Sequence, residues 1–226
     1  MQGPARSKGS ARGKPPREEA KKKRLGQGSA RKTATRILDA AEARFAAKGY
    51  AATSLGDIAD DVRIRAPSLY KHFGSKRDLY EAVMQRLLDP YFELLNELLV
   101  VPRDAEQAEK NLTLVVAHYA ETPNLARLVQ HAALAEGEEI DLLVERWYGP
   151  LFARAAELTK AAPSLRGAAR RGRAIAVVVA FHAFMSGYVT MAPLHARLTG
   201  EDMHGPKALG HFLAVLRAVS ASVWTA

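Results

Sequence analysis

The chain has 226 residues, a length that suits one small domain and a second domain with its own hydrophobic core. It contains no cysteine, which excludes disulfides and thiolate sites, and no signal peptide pattern at its start, so we expect a cytoplasmic protein. The net charge of +9 is concentrated in residues 1–36, where 12 Lys and Arg face only Glu18 and Glu19.

Residues 1–28 are predicted to form a disordered basic arm. Gly, Pro, Ser and charged residues dominate this segment, and Leu25 is its only large aliphatic residue apart from Met1. Such a composition offers too little apolar surface to offset the entropy of ordering.

Apolar residues recur at helical spacing from about residue 30 to residue 48 and predict a first helix. Gly49 is expected to end this helix in a left-handed conformation. Ser54, followed by Asp57 three residues later, has the pattern of a capping box and predicts the start of a second helix. Ile58 and Val62 contribute to the apolar face of that helix.

A polar turn follows at Arg63 and Arg65, and a second short helix is predicted from Pro67 to Phe73. Gly74 is expected to end it, after which Ser75 opens a longer helix. Two helices that are joined this tightly must cross at a steep angle.

The stretch TSLGDIADDVRIRAPSLYKHFGSKRDLY, residues 53–80, resembles the helix-turn-helix of the TetR family of transcriptional regulators. The positions that match the family pattern are Thr53, Ser54, Ile58, Ala59, Leu69, Tyr70, His72, Phe73 and Lys76. The resemblance implies an all-α protein with a three-helix DNA-binding domain at 29–76 and a helical effector-binding and dimerisation domain at 77–226.

The turn departs from the family pattern. The family commonly has Gly and then Ser where this chain has Arg63 and Arg65. An Arg that takes the positive φ of a Gly costs about 1 kcal/mol, so we expect a slightly altered turn with two additional cations.

The predicted core of the first domain combines residues from all three of its helices. Its members are Ile37, Leu38, Ala41, Phe45, Tyr50, Leu55, Ile58, Val62, Leu69 and Phe73.

The second domain is predicted to begin with a long helix at 75–100 that contains Pro90. Two interpretations remain open: Pro90 kinks one rod, which then works as a hinged lever, or it separates two helices. Further helices are predicted at 104–121, 125–135, 138–161 and 205–223.

Residues 174–191 contain no Lys, Arg, Asp or Glu. The run is at the lower limit of membrane-spanning length, but His182, Ser186 and Gly187 favour a central helix of a water-soluble domain. With the last helix it either completes the core of its own chain or forms a four-helix seam between two chains. The resemblance favours the seam and hence a homodimer.

The DNA-binding candidates follow from position and from the resemblance. Arg65, at the amino end of the second motif helix, is the best candidate for a guanine, because its guanidinium can donate to two acceptors. Phosphate contacts are implied for Ser54, Tyr70, His72 and Lys76. The remaining candidates are Arg63, Ala66, Pro67, Ser68 and Lys71. The arm residues 21–24 either bind phosphates or remain a solvated tail.

The second domain carries aromatic and imidazole side chains that suit either a packed core or a small-molecule pocket, and the resemblance favours the pocket. The ligand-binding candidates are His118, Tyr119, His131, Trp147, Tyr148, Phe181, His182 and Met185. We predict no metal, because the three histidines lie on separate predicted helices, and no cofactor or enzymatic activity, because nucleophile-elbow and nucleotide-binding motifs are absent.

The functional prediction is a ligand-released repressor that binds a palindromic operator in double-stranded DNA as a homodimer, with an unknown small-molecule effector and no membrane association. The alternative is an architectural DNA-binding protein with little sequence preference and no effector.

Overall fold

The computed structural model describes residues 16–98, 105–135, 137–161, 179–180, 182–203 and 205–225, and these ranges contain helices but no strand. The first domain comprises α1 (Pro16–Lys48), α2 (Leu55–Asp61) and α3 (Ala66–Tyr70). The second domain comprises α4 (Lys76–Leu98), α5 (Ala105–Glu121), α6 (Pro123–Ala135), α7 (Glu138–Leu143), a π-helical turn (Val144–Tyr148), α8 (Gly149–Ala161), α9 (described at 179–180 and 182–190), α10 (Ala192–Thr199) and α11 (Pro206–Thr225). The predicted all-α architecture is confirmed.

The core of the first domain is the one that helical periodicity predicts. Ile37, Phe45, Ile58 and Leu69 are fully buried, and they come from all three of its helices. The partly buried members of the predicted core, Leu38, Tyr50, Leu55 and Phe73, pack against them. This core fixes the angle between α2 and α3, because each helix buries only one face.

Helix α1 begins at Pro16, so the prediction that residues 16–28 lack regular structure is wrong. Residues 1–15 lie outside the described part of the chain. The physical reason is local: Pro16 suits a first helical turn, Glu18 and Glu19 complement the positive end of the helix, and Lys, Arg, Leu and Gln have high helix propensity. The absence of apolar surface had suggested disorder, but here helix propensity prevails.

Helix α4 is continuous from Lys76 to Leu98 with Pro90 inside it, so of the two interpretations left open at Pro90 the break into two helices is excluded. Tyr91 and Phe92, which follow Pro90, are both buried and hold the helix in the core of the second domain. Tertiary packing therefore offsets the one helical hydrogen bond that proline removes.

The predicted single helix at 138–161 is interrupted by the π-helical turn. At its end the Gly149 N–H donates to the Val144 carbonyl, a bond that spans five residues. A Cβ atom at Gly149 would lie 2.7 Å from that carbonyl oxygen. Pro150 lacks an N–H, so the sequence Gly149-Pro150 favours a widened turn at this point.

We expect Gly149→Ala to destabilise the protein by about 1–2 kcal/mol, since the overlap with the Val144 carbonyl outweighs the gain in helix propensity. Gly210→Ala in α11 is the matched control. A Cβ atom there meets nothing within 4 Å, so this substitution should only gain helix propensity and should stabilise the protein. Chemical denaturation of both variants measures the difference. Equal stabilisation by the two substitutions would contradict the steric role of Gly149.

Helices α9 and α11 pack side by side within one chain. The rings of Tyr188 and Phe212 are stacked with centroids 3.8 Å apart, and Met185 and Leu216 are buried. The amino-terminal part of the predicted central helix, at 174–178 and 181, lies outside the described residues. In the part of the chain that was searched, no helix is long and apolar enough to cross a membrane.

Candidate nucleic-acid interface and second-domain cluster

The turn between α2 and α3 is closed by two backbone hydrogen bonds. The Ile64 N–H donates to the Ala59 carbonyl at 2.9 Å, and the Arg63 N–H donates to the Asp60 carbonyl at 3.0 Å. These bonds form a Schellman motif, which requires a left-handed residue at Arg63, and the φ angle of Arg63 is 54°. The expectation of an altered turn is therefore wrong: Arg63 adopts the conformation that a glycine would take.

We expect Arg63→Gly to be more stable than Arg63→Ala by about 1 kcal/mol, because only glycine relieves the positive φ. Both substitutions remove the same cation, so any loss of DNA affinity should be common to them. Equilibrium unfolding in denaturant gives the difference. Equal stabilities would show that the turn does not impose strain on Arg63.

The short helix α3 is anchored on one side and exposed on the other. Leu69 is fully buried, whereas Arg65, Ala66 and Pro67 are exposed. Arg65 is the N-cap residue and has an extended backbone, with φ −78° and ψ 145°. The amino-terminal end of α3 is thus free to enter a groove, and Ser68, the next residue, is half-buried.

The cations near α3 differ from those elsewhere in the domain. Arg44 binds Asp61 through two hydrogen bonds of 2.6 and 2.7 Å, and its guanidinium holds the pKa of that carboxyl below its usual value. Among the described residues, no carboxylate lies within salt-bridge distance of Arg63, Arg65 or Lys71. All three side chains are exposed, so their charge is available to an anionic partner.

Ser54, Tyr70 and Lys76 line one open groove between the starts of α2 and α4. The Ser54 hydroxyl accepts a hydrogen bond from the Asp57 N–H at 3.0 Å, which confirms the predicted N-cap. The Lys76 ammonium donates to the Ala51 carbonyl at 3.2 Å and lies 4.4 Å from the centre of the Tyr50 ring. Partial burial lowers the pKa of Lys76. His72, also predicted to contact phosphate, is half-buried after the end of α3.

In the second domain, three of the predicted ligand-binding residues meet in one cluster, in which Tyr119 is buried and Tyr148 and His182 are half-buried. The Tyr119 hydroxyl lies 2.8 Å from His182 Nδ1, and the Tyr148 hydroxyl lies 2.9 Å from His182 Nε2. Burial lowers the pKa of His182 to about 4, and it raises the pKa values of both tyrosines well above their usual value. The cluster is therefore uncharged at neutral pH.

The other predicted ligand-binding residues occupy different places. His131 lies against Gly49 at the junction of the two domains, and Trp147 donates a hydrogen bond of 2.8 Å to Asp89. Met185 is buried, His118 stacks on Tyr91, and Phe181 lies outside the described residues. Within the searched part of the chain, no group of three or more His, Asp or Glu side chains could hold a metal ion.

Three neighbours of His182 were absent from the predicted ligand-binding set. Tyr91 packs edge-on against Tyr119, Phe92 packs edge-on against Tyr148, and the Ser186 hydroxyl lies 3.3 Å from His182 Nε2. The position of Ser186, four residues after His182, was a readable signal, because such pairs share one face of a helix. Tyr91 and Phe92 offered no comparable signal beyond the apolar spacing of α4.

Comparison with known proteins finds a family match over the first domain and the start of α4. Residues 37–83 match the family model of bacterial regulatory proteins, tetR family. The chain is 37% identical over 71 residues to the HTH-type transcriptional repressor KstR2 of Rhodococcus jostii (strain RHA1), covering 31% of this chain and 35% of that protein. It is 39% identical over 66 residues to IcaR, the HTH-type negative transcriptional regulator of the biofilm operon icaADBC of Staphylococcus aureus (strain Newman), covering 29% and 33%. The alignments thus span about a third of these curated relatives.

Solved structures resemble the chain over both domains. A TetR-like transcriptional regulator from Rhodococcus sp. RHA1 superimposes with a TM-score of 0.58 at 19% identity, covering 85% of this chain and 93% of the other. At that identity the likeness concerns the fold, and it extends the agreement from the first domain to the helical second domain.

Proposed function

We propose that this protein is a transcriptional repressor of the TetR family that binds a palindromic DNA operator as a homodimer and is released by a small-molecule ligand. The observation that carries the proposal is the exposed amino-terminal end of α3, which is held by buried Leu69 and flanked by Arg63 and Arg65. A helix presented in this way can enter the major groove.

The interface combines two kinds of contact. Arg65 would recognise a guanine through two hydrogen bonds from its guanidinium. Ala66 and Pro67 can offer only apolar contact, for example to a thymine methyl group. Ser54, Tyr70, His72 and Lys76 would bind phosphates and fix the register of α3 on the duplex. Arg63, Ser68 and Lys71 complete the proposed DNA-binding set. The unpaired state of Arg63, Arg65 and Lys71 supports this assignment, since DNA binding would break no ion pair among the described residues.

The cluster around His182 supports an uncharged effector. Its hydroxyl and imidazole groups bond to one another, so a ligand that binds here must replace one of these hydrogen bonds with its own polar group, beside the aromatic rings of Tyr91 and Phe92. A charged ligand would find no opposite charge on Tyr119, Tyr148 or His182, because the shifts of their pKa values keep all three side chains neutral at pH 7.

Helix α6 connects this cluster to the first domain. Gln130 donates a hydrogen bond of 3.1 Å to Thr190 on α9, the helix that carries His182. At its other contacts, Asn124 donates to Glu42 of α1 at 2.9 Å, and the His131 ring lies against Gly49. Arg86 of α4 also pairs with Glu42 and with Asp39. A ligand that moves α9 would therefore act on α1 and α4 together, and so on the spacing of the two recognition helices.

Selection of bound fragments from a random-DNA pool tests the proposal. A repressor of this kind should enrich one short palindrome at physiological salt and should bind it as two chains. A screen of uncharged small molecules against that complex should then find compounds that weaken it. If the pool yields no enriched palindrome and the protein coats DNA without preference, the proposal is wrong and an architectural role is supported.

A further inference from the structure

Helix α1 begins many residues before the positions that it contributes to the core of the first domain. Among the residues of α1 whose burial is described, Ile37 is the first that is fully buried, whereas Gly28, Ala30, Arg31 and Lys32 are exposed. The helix begins at Pro16. Residues 16–32 therefore span roughly 25 Å of helix at 1.5 Å per residue.

The composition of this extension restricts its partner. Residues 16–32 hold seven Lys and Arg against Glu18 and Glu19, and Leu25 is their only large aliphatic residue. A helix that docks in a protein groove or inserts into a membrane interface requires an apolar stripe, which one leucine does not supply. A polyanion requires only the positive charge.

The extension begins beside the candidate DNA interface. The Arg36 guanidinium donates a hydrogen bond of 2.6 Å to the Val62 carbonyl, at the turn that carries Arg63 and Arg65. The four consecutive cations at residues 21–24 are 12 to 15 residues from Arg36, or about 20 Å along the helix axis. At 3.4 Å per base pair this is about six base pairs.

We propose that residues 16–32 form a basic helical arm that binds phosphates of double-stranded DNA flanking the segment contacted by α3. The arm adds affinity without reading sequence, and it lengthens the bound segment on each side of a palindrome. This inference rests on the DNA-binding part of the proposed function.

The test replaces Lys21, Lys22, Lys23 and Arg24 by glutamine in the full chain, because glutamine removes the charge and retains the helix propensity. The matched control replaces four exposed cations of the second domain by glutamine: Lys110, Arg127, Arg154 and Arg197. Both variants have the same net charge. Affinity is measured as a function of salt on a duplex with ten flanking base pairs on each side and on one trimmed to two.

On the long duplex, the arm variant should bind at least about 10-fold more weakly than the control at 100 mM salt. The slope of log binding constant against log salt concentration should also be smaller in magnitude for the arm variant, by about 2–4 per chain. On the trimmed duplex, the two variants should bind alike. Equal affinities on the long duplex, or the same deficit on both duplexes, would overturn the inference. Loss of binding to phosphatidylserine vesicles by the arm variant, with DNA binding unchanged, would also overturn it and assign the arm to a membrane.

Failure of the proposed function is distinguishable from failure of this inference. If the wild-type chain enriches no palindrome, the repressor proposal fails, but the same two duplexes still measure the arm. A length-dependent deficit of the arm variant then supports the inference on DNA of any sequence.

Discussion

Replacing Arg65 with alanine is expected to reduce discrimination at one base pair of each half-site by about 1–3 kcal/mol, roughly 5- to 150-fold in relative affinity. The reason is the position of the side chain. Arg65 is the N-cap of α3, it is exposed, and among the described residues no carboxylate competes for its guanidinium. Binding measured on the operator and on its single-base variants gives the effect.

Two controls separate sequence reading from electrostatic attraction. Arg65→Lys keeps the charge but loses the planar fork, so it should lose discrimination while retaining most of the affinity. Lys76→Ala should weaken binding to all sequences alike, because Lys76 is assigned to a phosphate. Lys76 also bonds to the Ala51 carbonyl, so the unfolding midpoint of this variant must be measured in parallel. An equal loss of affinity on every sequence for Arg65→Ala would contradict the assignment of Arg65 as a base-reading residue.

The first domain could be predicted in detail because its determinants are local. The Ser54 cap and the left-handed Gly49 depend on residues that lie within four positions of each other along the chain. The burial of Ile37, Ile58 and Leu69 follows from helical periodicity alone. Here local propensity and tertiary packing favour the same structure, which is the situation in which sequence patterns are most informative.

Where the prediction was wrong, a competing interaction decides the structure. At Arg63 the two hydrogen bonds of the Schellman motif and the packing of Ile64 prevail over the cost of a positive φ. At residues 16–28 helix propensity prevails in a segment without apolar surface. The π-helical turn at Val144–Tyr148 depends on a hydrogen bond across five residues, which no apolar period reveals.

The cluster in the second domain was predictable as a set of residue types but not as an arrangement. Tyr119 and His182 are 63 residues apart in the chain, and periodicity cannot say which histidine would face which tyrosine. His131 has the same chemistry, yet it lies at the domain junction against Gly49. It is the packing of α5, α6 and α9 that places His182 beside the tyrosines and His131 at the domain junction.

The second large effect is expected at the proposed dimer seam formed by α9 and α11. Helices α9 and α11 already contact each other through the stacked, half-buried rings of Tyr188 and Phe212, and Leu216 of α11 is buried. Their outer surfaces keep large apolar side chains in contact with solvent: Phe184 is 44% exposed and Val215 is 52% exposed. Val179 of α9 is also 53% exposed, so these exposed apolar residues lie on the two helices that we expect to pair with a second copy of the chain.

We therefore expect Phe184→Glu and Val215→Glu, singly and together, to convert a dimer into a monomer at micromolar concentration. Two-fold symmetry presents each substitution twice, so every altered seam buries two like charges without partners. Operator affinity should fall by more than about 100-fold, because a monomer loses the second half-site. Sedimentation velocity and operator binding give the two readouts.

Leu134→Glu is the matched control for the seam. Leu134 is 83% exposed on α6, so the substitution adds the same charge to an apolar surface position outside α9 and α11. This variant should remain dimeric and keep its affinity for the operator. If all three variants stay dimeric, the chains pair through another surface, and α9 and α11 serve only the core of their own chain. If the wild-type chain is itself a monomer, α3 has no symmetric partner and a palindromic operator loses its physical basis.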